Sequence, residues 1–218
     1  MTNAIEEIRA EMAKAAKIAG RKPQDVSLIA VSKTRTPDEI RPLLSDGQRV
    51  FGENRVQEAA AKWPELLADY PDVTLHLIGQ LQSNKAAEAV ALFDVIHSVD
   101  RASLITALGK AMNAAGKSPD CFLQVNIGGE AQKGGCAVGG IADLLTLAQQ
   151  QGVPIIGLMC LPPADVEAAP YFALLYELAQ RHALPALSMG MTADYQTAIM
   201  LGATHIRIGT ALFGPRSA

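Results

Sequence analysis

The sequence predicts an α/β fold: a single (β/α)8 TIM-type barrel with an extra N-terminal helix, one domain spanning 1–218. Three observations carry this expectation. Short apolar runs alternate with helix-length amphipathic segments, the runs number eight, and no Pro-, Gly- or Ser-rich linker or charge block interrupts the alternation.

Residues 4–19 read as the first helix, because Ile5, Ile8, Met12, Ala15 and Ile18 recur at helical spacing and Gly20 ends the run. The strand candidates follow at Val26–Val31, Arg49–Phe51, Thr74–Ile78, Val95–His97, Cys121–Val125, Ile155–Met159, Ala186–Leu187 and His205–Ile208. Helical segments lie between or after them, near 37–46, 54–68, 82–92, 101–115, 139–151, 164–182 and 192–201. With the first helix set aside, roughly 25 residues remain per unit, enough for a short strand, a helix of about three turns and two loops. Strands joined through helices pair in parallel by right-handed crossovers, and eight such units close most naturally into a barrel. An open doubly wound sheet is the alternative, and it lacks the GxGxxG expected after the first strand. Gly128-Gly129 through Gly139-Gly140 is expected to be a mobile loop after the fifth strand.

Composition excludes several function classes. Nineteen basic against 22 acidic side chains give a net charge of −3, and the pI is about 5.8, which disfavours a nucleic-acid partner. Hydrophobic residues make up 49%, enough for a core, yet no stretch reaches the ~20 apolar residues of a membrane span. The first ten residues carry Glu6, Glu7 and Arg9, unlike a secretory signal. Cys121, Cys136 and Cys160 are odd in number without CxxC spacing, so neither a disulfide framework nor a zinc site is indicated. A cytoplasmic, monomeric protein is expected.

In a parallel barrel the chemistry gathers where strands end and loops begin at the carboxyl face. Lys33 ends the first strand in alternation with Ile29 and Val31; an inward lysine at an apolar rim is a candidate for imine formation, and an ordinary strand-end lysine reaching solvent is the other reading. Ser188-Met189-Gly190-Met191-Thr192 and Arg207-Ile208-Gly209-Thr210 each join a strand to a helix start, with glycine for close approach and hydroxyl and amide donors. Either alone reads as a cap or a turn; both together, after strands seven and eight, suit a phosphate. His76 lies mid-strand, where it could flank a planar ligand or fill the core. His97, His182 and His205 lack metal-like spacing. Asn54 is expected to cap the helix after Gly-Glu-Asn, with ligand contact as a second role. Glu53 and Glu58, five residues apart, do not share a helical face. Ser32 lacks a GxSxG elbow, so serine hydrolysis is unsupported.

Six motifs then stand in order: Ile29-Ala-Val-Ser-Lys33-Thr34; Phe51-Gly-Glu-Asn54 with Gln57-Glu58; His76-Leu-Ile-Gly-Gln-Leu-Gln-Ser-Asn-Lys85; Gly157-Leu-Met159; Leu187-Ser-Met-Gly-Met-Thr192 with Asp194; and Arg207-Ile-Gly-Thr-Ala-Leu-Phe-Gly214. Together, over essentially the whole chain, they resemble the YggS/PROSC family of pyridoxal-phosphate-binding homeostasis proteins, which looks like the barrel domain of alanine racemase without its β-rich domain. The resemblance implies that pyridoxal 5'-phosphate is the cofactor and that Lys33 holds it as an imine. It implies that Ser188, with backbone amides near Gly190, Gly209 and Thr210, holds the phosphate. Arg207 would face the pyridine nitrogen, and Asn54, His76 and Ser98 would line the ring pocket. Two departures stand out: Arg55 replaces an aromatic residue common in the family, and Arg35 replaces a second lysine, so an accessory site using that lysine is in doubt.

The implied function is reversible cofactor binding in vitamin B6 homeostasis, with apo pyridoxal-phosphate enzymes as transient partners. The alternative is an amino-acid racemase using the same cofactor, for which 218 residues of barrel leave no room for the second domain. A third reading is a barrel enzyme acting on another phosphorylated metabolite through Lys33. No metal is expected.

Overall fold

The computed structural model describes residues 2–214, with side chains from residue 4. Eight parallel strands close in sequence order into a barrel: β1 (Ser27–Val31), β2 (Val50–Glu53), β3 (Thr74–Leu77), β4 (Val95–Val99), β5 (Asp120–Val125), β6 (Ile155–Cys160), β7 (Ala186–Ser188) and β8 (His205–Ile208). The helices are α1 (Thr2–Ile18), α2 (Pro37–Ser45), α3 (Val56–Asp69), α4 (Ala86–Leu92), α5 (Ala102–Ala115), α6 (Ile141–Gln150), α7 (Ala169–Arg181), α8 (Tyr195–Met200) and the one-turn α9 (Thr210–Phe213). The open doubly wound alternative is thereby set aside.

Alternation along each strand sorts side chains into two layers. Leu28, Ala30, Phe51, Leu75, Leu77, Leu123, Leu158, Leu187, Ile206 and Ile208 point outward into the large core under the helices. Val95, Phe122, Met159 and Ala186 pack inside the barrel. A one-residue shift of register would exchange the two sets, so this patterning fixes the pairing.

Helix α1 lies against α8 and buries Ile5, Ile8, Met12, Ala15 and Ala16. Ile18, expected on that face, is 68% exposed; at 100° per residue it sits on the far side from Ile5, and Ala16 takes the inward position. Helix α7 starts later than its sequence pattern suggests, with Pro170 in its first turn, where a missing N–H costs nothing.

The glycine-rich segment after β5 is tied down. Cys136 N donates to Gln124 O and Asn126 N to Cys136 O, both at 2.9 Å, forming a parallel bridge of Cys136 with Val125. Asn126 fastens its apex, donating to Glu130 O at 2.8 Å and accepting from Glu130 N at 3.1 Å. No helix among the described residues is long and apolar enough to cross a membrane.

Candidate functional site

The pairing of β1 with β8 sets Ile29 opposite Arg207 and Ala30 opposite Ile208. The two strands therefore deliver Lys33 and Gly209-Thr210 side by side at the carboxyl end, and a Cβ placed on Gly209 would sit 3.4 Å from the Val31 Cβ. Ile29 faces the lumen, where it leaves no room for a side chain at Gly52: a Cβ there would lie 2.7 Å from Ile29 Cγ2. Lys33 is half-buried and, among the described residues, has no hydrogen bond or ion pair.

Arg207 is 4% exposed and reaches across the lumen from β8. Its Nη1 donates to Ser188 Oγ at 2.5 Å and its Nη2 to Cys160 O at 3.0 Å. No carboxylate among the described residues pairs with it. Burial lowers its pKa, yet a guanidinium stays charged, so a buried cation keeps uncommitted N–H donors without an anion. Such a group awaits an acceptor.

From Ser188 a chain of polar groups crosses the barrel. Ser188 Oγ lies 2.8 Å from His97 Nδ1, and His97 Nε2 lies 2.8 Å from His76 Nδ1. His97 stacks on Phe122 with ring centroids 4.4 Å apart, and His205 meets Phe122 edge-on at 5.1 Å. Burial pushes His76 down to about 3 and His205 to about 4, and holds His97 well below its ordinary value. All three are neutral at physiological pH, so each linked ring nitrogen is either donor or acceptor and the chain has one direction at a time.

The loops after β7 and β8 lie together. Arg207 N donates to Gly190 O at 3.0 Å and Met189 N to His205 O at 3.1 Å, which fastens the first loop along β8. Gly190 has φ +94°, and a Cβ there would fall 2.6 Å from the Ala198 Cβ, so only glycine lets this loop run so close to α8. Gly209 precedes α9, whose first amides have no partner within the helix. Asn54 follows β2 directly and is half-buried; Gly79 presses on its backbone, where a Cβ would lie 2.2 Å from Asn54 O. Ser98 is fully buried on β4 beside a register shift, and its Oγ has no partner among the described residues.

The structure corrects the sequence reading of Asn54. Asn54 does not cap α3: Arg55 holds the cap position without a side-chain bond, because β2 extends through Glu53 and leaves Arg55 in extended conformation. Tyr195 opens α8 and is 9% exposed within the core between α8 and α1. Glu53 and Glu58 share no helical face, as expected, yet converge from β2 and α3 on Lys62 Nζ, each at 2.9 Å. Lys62, His97, His205 and Phe122 were not among the site candidates. Inward alternation on β4, β5 and β8 is the signal that could have placed the last three.

The family model described as alanine racemase, N-terminal domain, matches residues 4–217. A pyridoxal phosphate homeostasis protein of Pseudomonas aeruginosa is 42% identical, over 97% of this chain and 94% of that protein. One from Aquifex aeolicus is 40% identical, over 93% and 92%. The chain belongs to the pyridoxal phosphate homeostasis protein family. PipY of Synechococcus elongatus, solved with pyridoxal phosphate bound, is 44% identical with a TM-score of 0.80, over 93% of this chain and all of that one. An alanine racemase of Clostridium difficile, 12% identical, has a TM-score of 0.69 and is covered over 57% of its length, a likeness of fold alone.

The residues present fit the family's cofactor. Among the described residues, a lysine without a side-chain partner, a buried arginine without an anion and the first amides of α9 lie at the carboxyl end of β1 and β8.

Proposed function

We propose that this protein binds pyridoxal 5'-phosphate reversibly, with Lys33 making the covalent link, and serves vitamin B6 homeostasis in the cytoplasm. The observation that carries this reading is the β1–β8 register, which brings the Lys33 strand end beside Arg207 and Gly209-Thr210. The cofactor, when bound, supplies an aldehyde that condenses with a primary amine and a phosphate dianion that anchors it.

The chain's own groups then divide the work. Lys33 presents the amine. The amides of Gly190, Gly209 and Thr210 offer donors to the phosphate. Ser188, expected from the family resemblance to hold the phosphate, has its buried Oγ committed to Arg207 and His97 and enters this site through Arg207, whose remaining N–H groups would face the pyridine nitrogen. Asn54, His76 and Ser98 line the ring pocket. Three free, buried cysteines agree with a reducing compartment. Transient delivery of cofactor to apo-enzymes extends the same reading, because a covalent link made by condensation is reversed by hydrolysis.

Arg207 favours holding over catalysis. Carbanion chemistry on this cofactor draws electrons into a protonated pyridine nitrogen, and a guanidinium, a donor without acceptor capacity, opposes that proton. The test is a titration of the purified protein with pyridoxal phosphate. A visible absorbance band is expected that Lys33→Ala abolishes while weaker non-covalent binding persists; an unchanged band in that variant would contradict the assignment.

A further inference from the structure

Lys62 is a buried lysine with no task in the site described so far. It sits on the inner face of α3, 8% exposed, and its Nζ lies near four oxygens: Ser32 O at 2.8 Å, Arg35 O at 3.1 Å, Glu53 Oε1 at 2.9 Å and Glu58 Oε1 at 2.9 Å. The two carbonyls flank Lys33-Thr34. Glu58 Oε1 also accepts from Thr34 N at 2.5 Å.

The loop so held is unusual. Thr34 has φ +63°, a left-handed conformation that a β-branched residue adopts only when its surroundings impose it. Upstream, Ser32 is buried and its Oγ donates to Glu53 Oε1 at 2.6 Å. Downstream, Thr36 caps α2, with Thr36 N donating to Glu39 Oε2 at 2.8 Å and Pro37 opening the helix. A lysine that merely neutralised Glu53 would not need two backbone carbonyls. Here the desolvated ammonium spends donors on the backbone either side of Lys33, and its carboxylate partner holds the amide between them.

We propose that Lys62, with Glu58, is the positioning residue for Lys33: the pair clamps the Ser32–Arg35 turn and so fixes where the Lys33 amine leaves the end of β1. This rests on the reading of Lys33 as the residue that bonds the cofactor. Lys62 touches neither the amine nor, on this account, the cofactor; it acts through the backbone.

Two variants test the clamp. Lys62→Met is made together with Glu53→Gln, so that no unpaired carboxylate is buried, and Glu58→Leu removes the Thr34 acceptor from a partly exposed position. If the double variant fails to fold, Glu58→Leu carries the test. In the protein without cofactor, Thr34 amide hydrogen exchange is expected to speed up at least ~10-fold while amides of β4 and β5 keep their protection. Affinity for pyridoxal phosphate should fall at least ~10-fold, whereas pyridoxamine 5'-phosphate, an amine that cannot condense with Lys33, should bind within about 2-fold of the parent. Unchanged Thr34 exchange would overturn the clamp, as would an equal loss of affinity for both ligands. Should the parent protein form no adduct on Lys33, the functional reading falls, and the clamp is judged on Thr34 exchange alone.

Discussion

Arg207 and Ser188 are joined by a 2.5 Å hydrogen bond inside the barrel, from β8 to β7, and this bond is the hinge between the polar chain of the core and the mouth. Ser188→Ala would leave a buried guanidinium N–H and His97 Nδ1 short of a partner. A loss of about 1–3 kcal/mol in stability is expected from urea unfolding. A change within about 0.5 kcal/mol, typical of uninvolved positions, would show that Arg207 finds another acceptor.

The buried histidines set an acid limit. Each is neutral in the fold, with His205 at about 4 and His76 at about 3, and takes a proton on unfolding below its ordinary pKa of 6.5. Stability from this source is therefore complete above pH 6.5 and declines as pH falls toward 4, by up to ~1.4 kcal/mol per pH unit per histidine. His205→Gln should reduce proton uptake on unfolding at pH 5 by about one. The same uptake in variant and parent would contradict the burial argument.

Much of this was legible in the sequence, and the failures have physical causes. Strand positions were readable because a barrel strand carries apolar groups on both faces, yet β2 runs two residues past Phe51 since Gly52-Glu53 looks like a turn and is in fact paired with β3. That Lys33, Ser188, Gly190, Arg207 and Gly209 stand at or beside strand ends was legible, because apolar runs closed by polar residues and glycine mark where barrel strands stop. The convergence of Glu53 and Glu58 on Lys62 was not, since it joins a strand to a helix and no spacing rule spans the two. The histidine chain was missed for a similar reason: a search for metal spacing does not find neutral rings that satisfy one another across the lumen, and no cluster suited to a metal lies among the described residues.

The phosphate should dominate non-covalent affinity. A dianion held by several amides gains charge-assisted hydrogen bonds of roughly 1.5–3 kcal/mol each. Pyridoxal without its phosphate is therefore expected to bind at least ~100-fold more weakly, about 2.7 kcal/mol, by fluorescence or calorimetric titration. Equal affinity would place the phosphate elsewhere.

Racemisation should be negligible. On the placement proposed above, Arg207 would oppose the pyridinium form, and Tyr195 is buried between α8 and α1, away from the mouth. Deuterium exchange at the α-carbon of L- and D-alanine, with saturating cofactor, should stay far below the usual enzymatic range of ~1–10³ per second. Turnover inside that range would favour a racemase.

The most direct test of the central claim is borohydride reduction of the protein loaded with pyridoxal phosphate, followed by peptide mass spectrometry. One cofactor adduct is expected, on Lys33, the lysine at the β1 end without a partner among the described residues. An adduct mainly on any other lysine would contradict it.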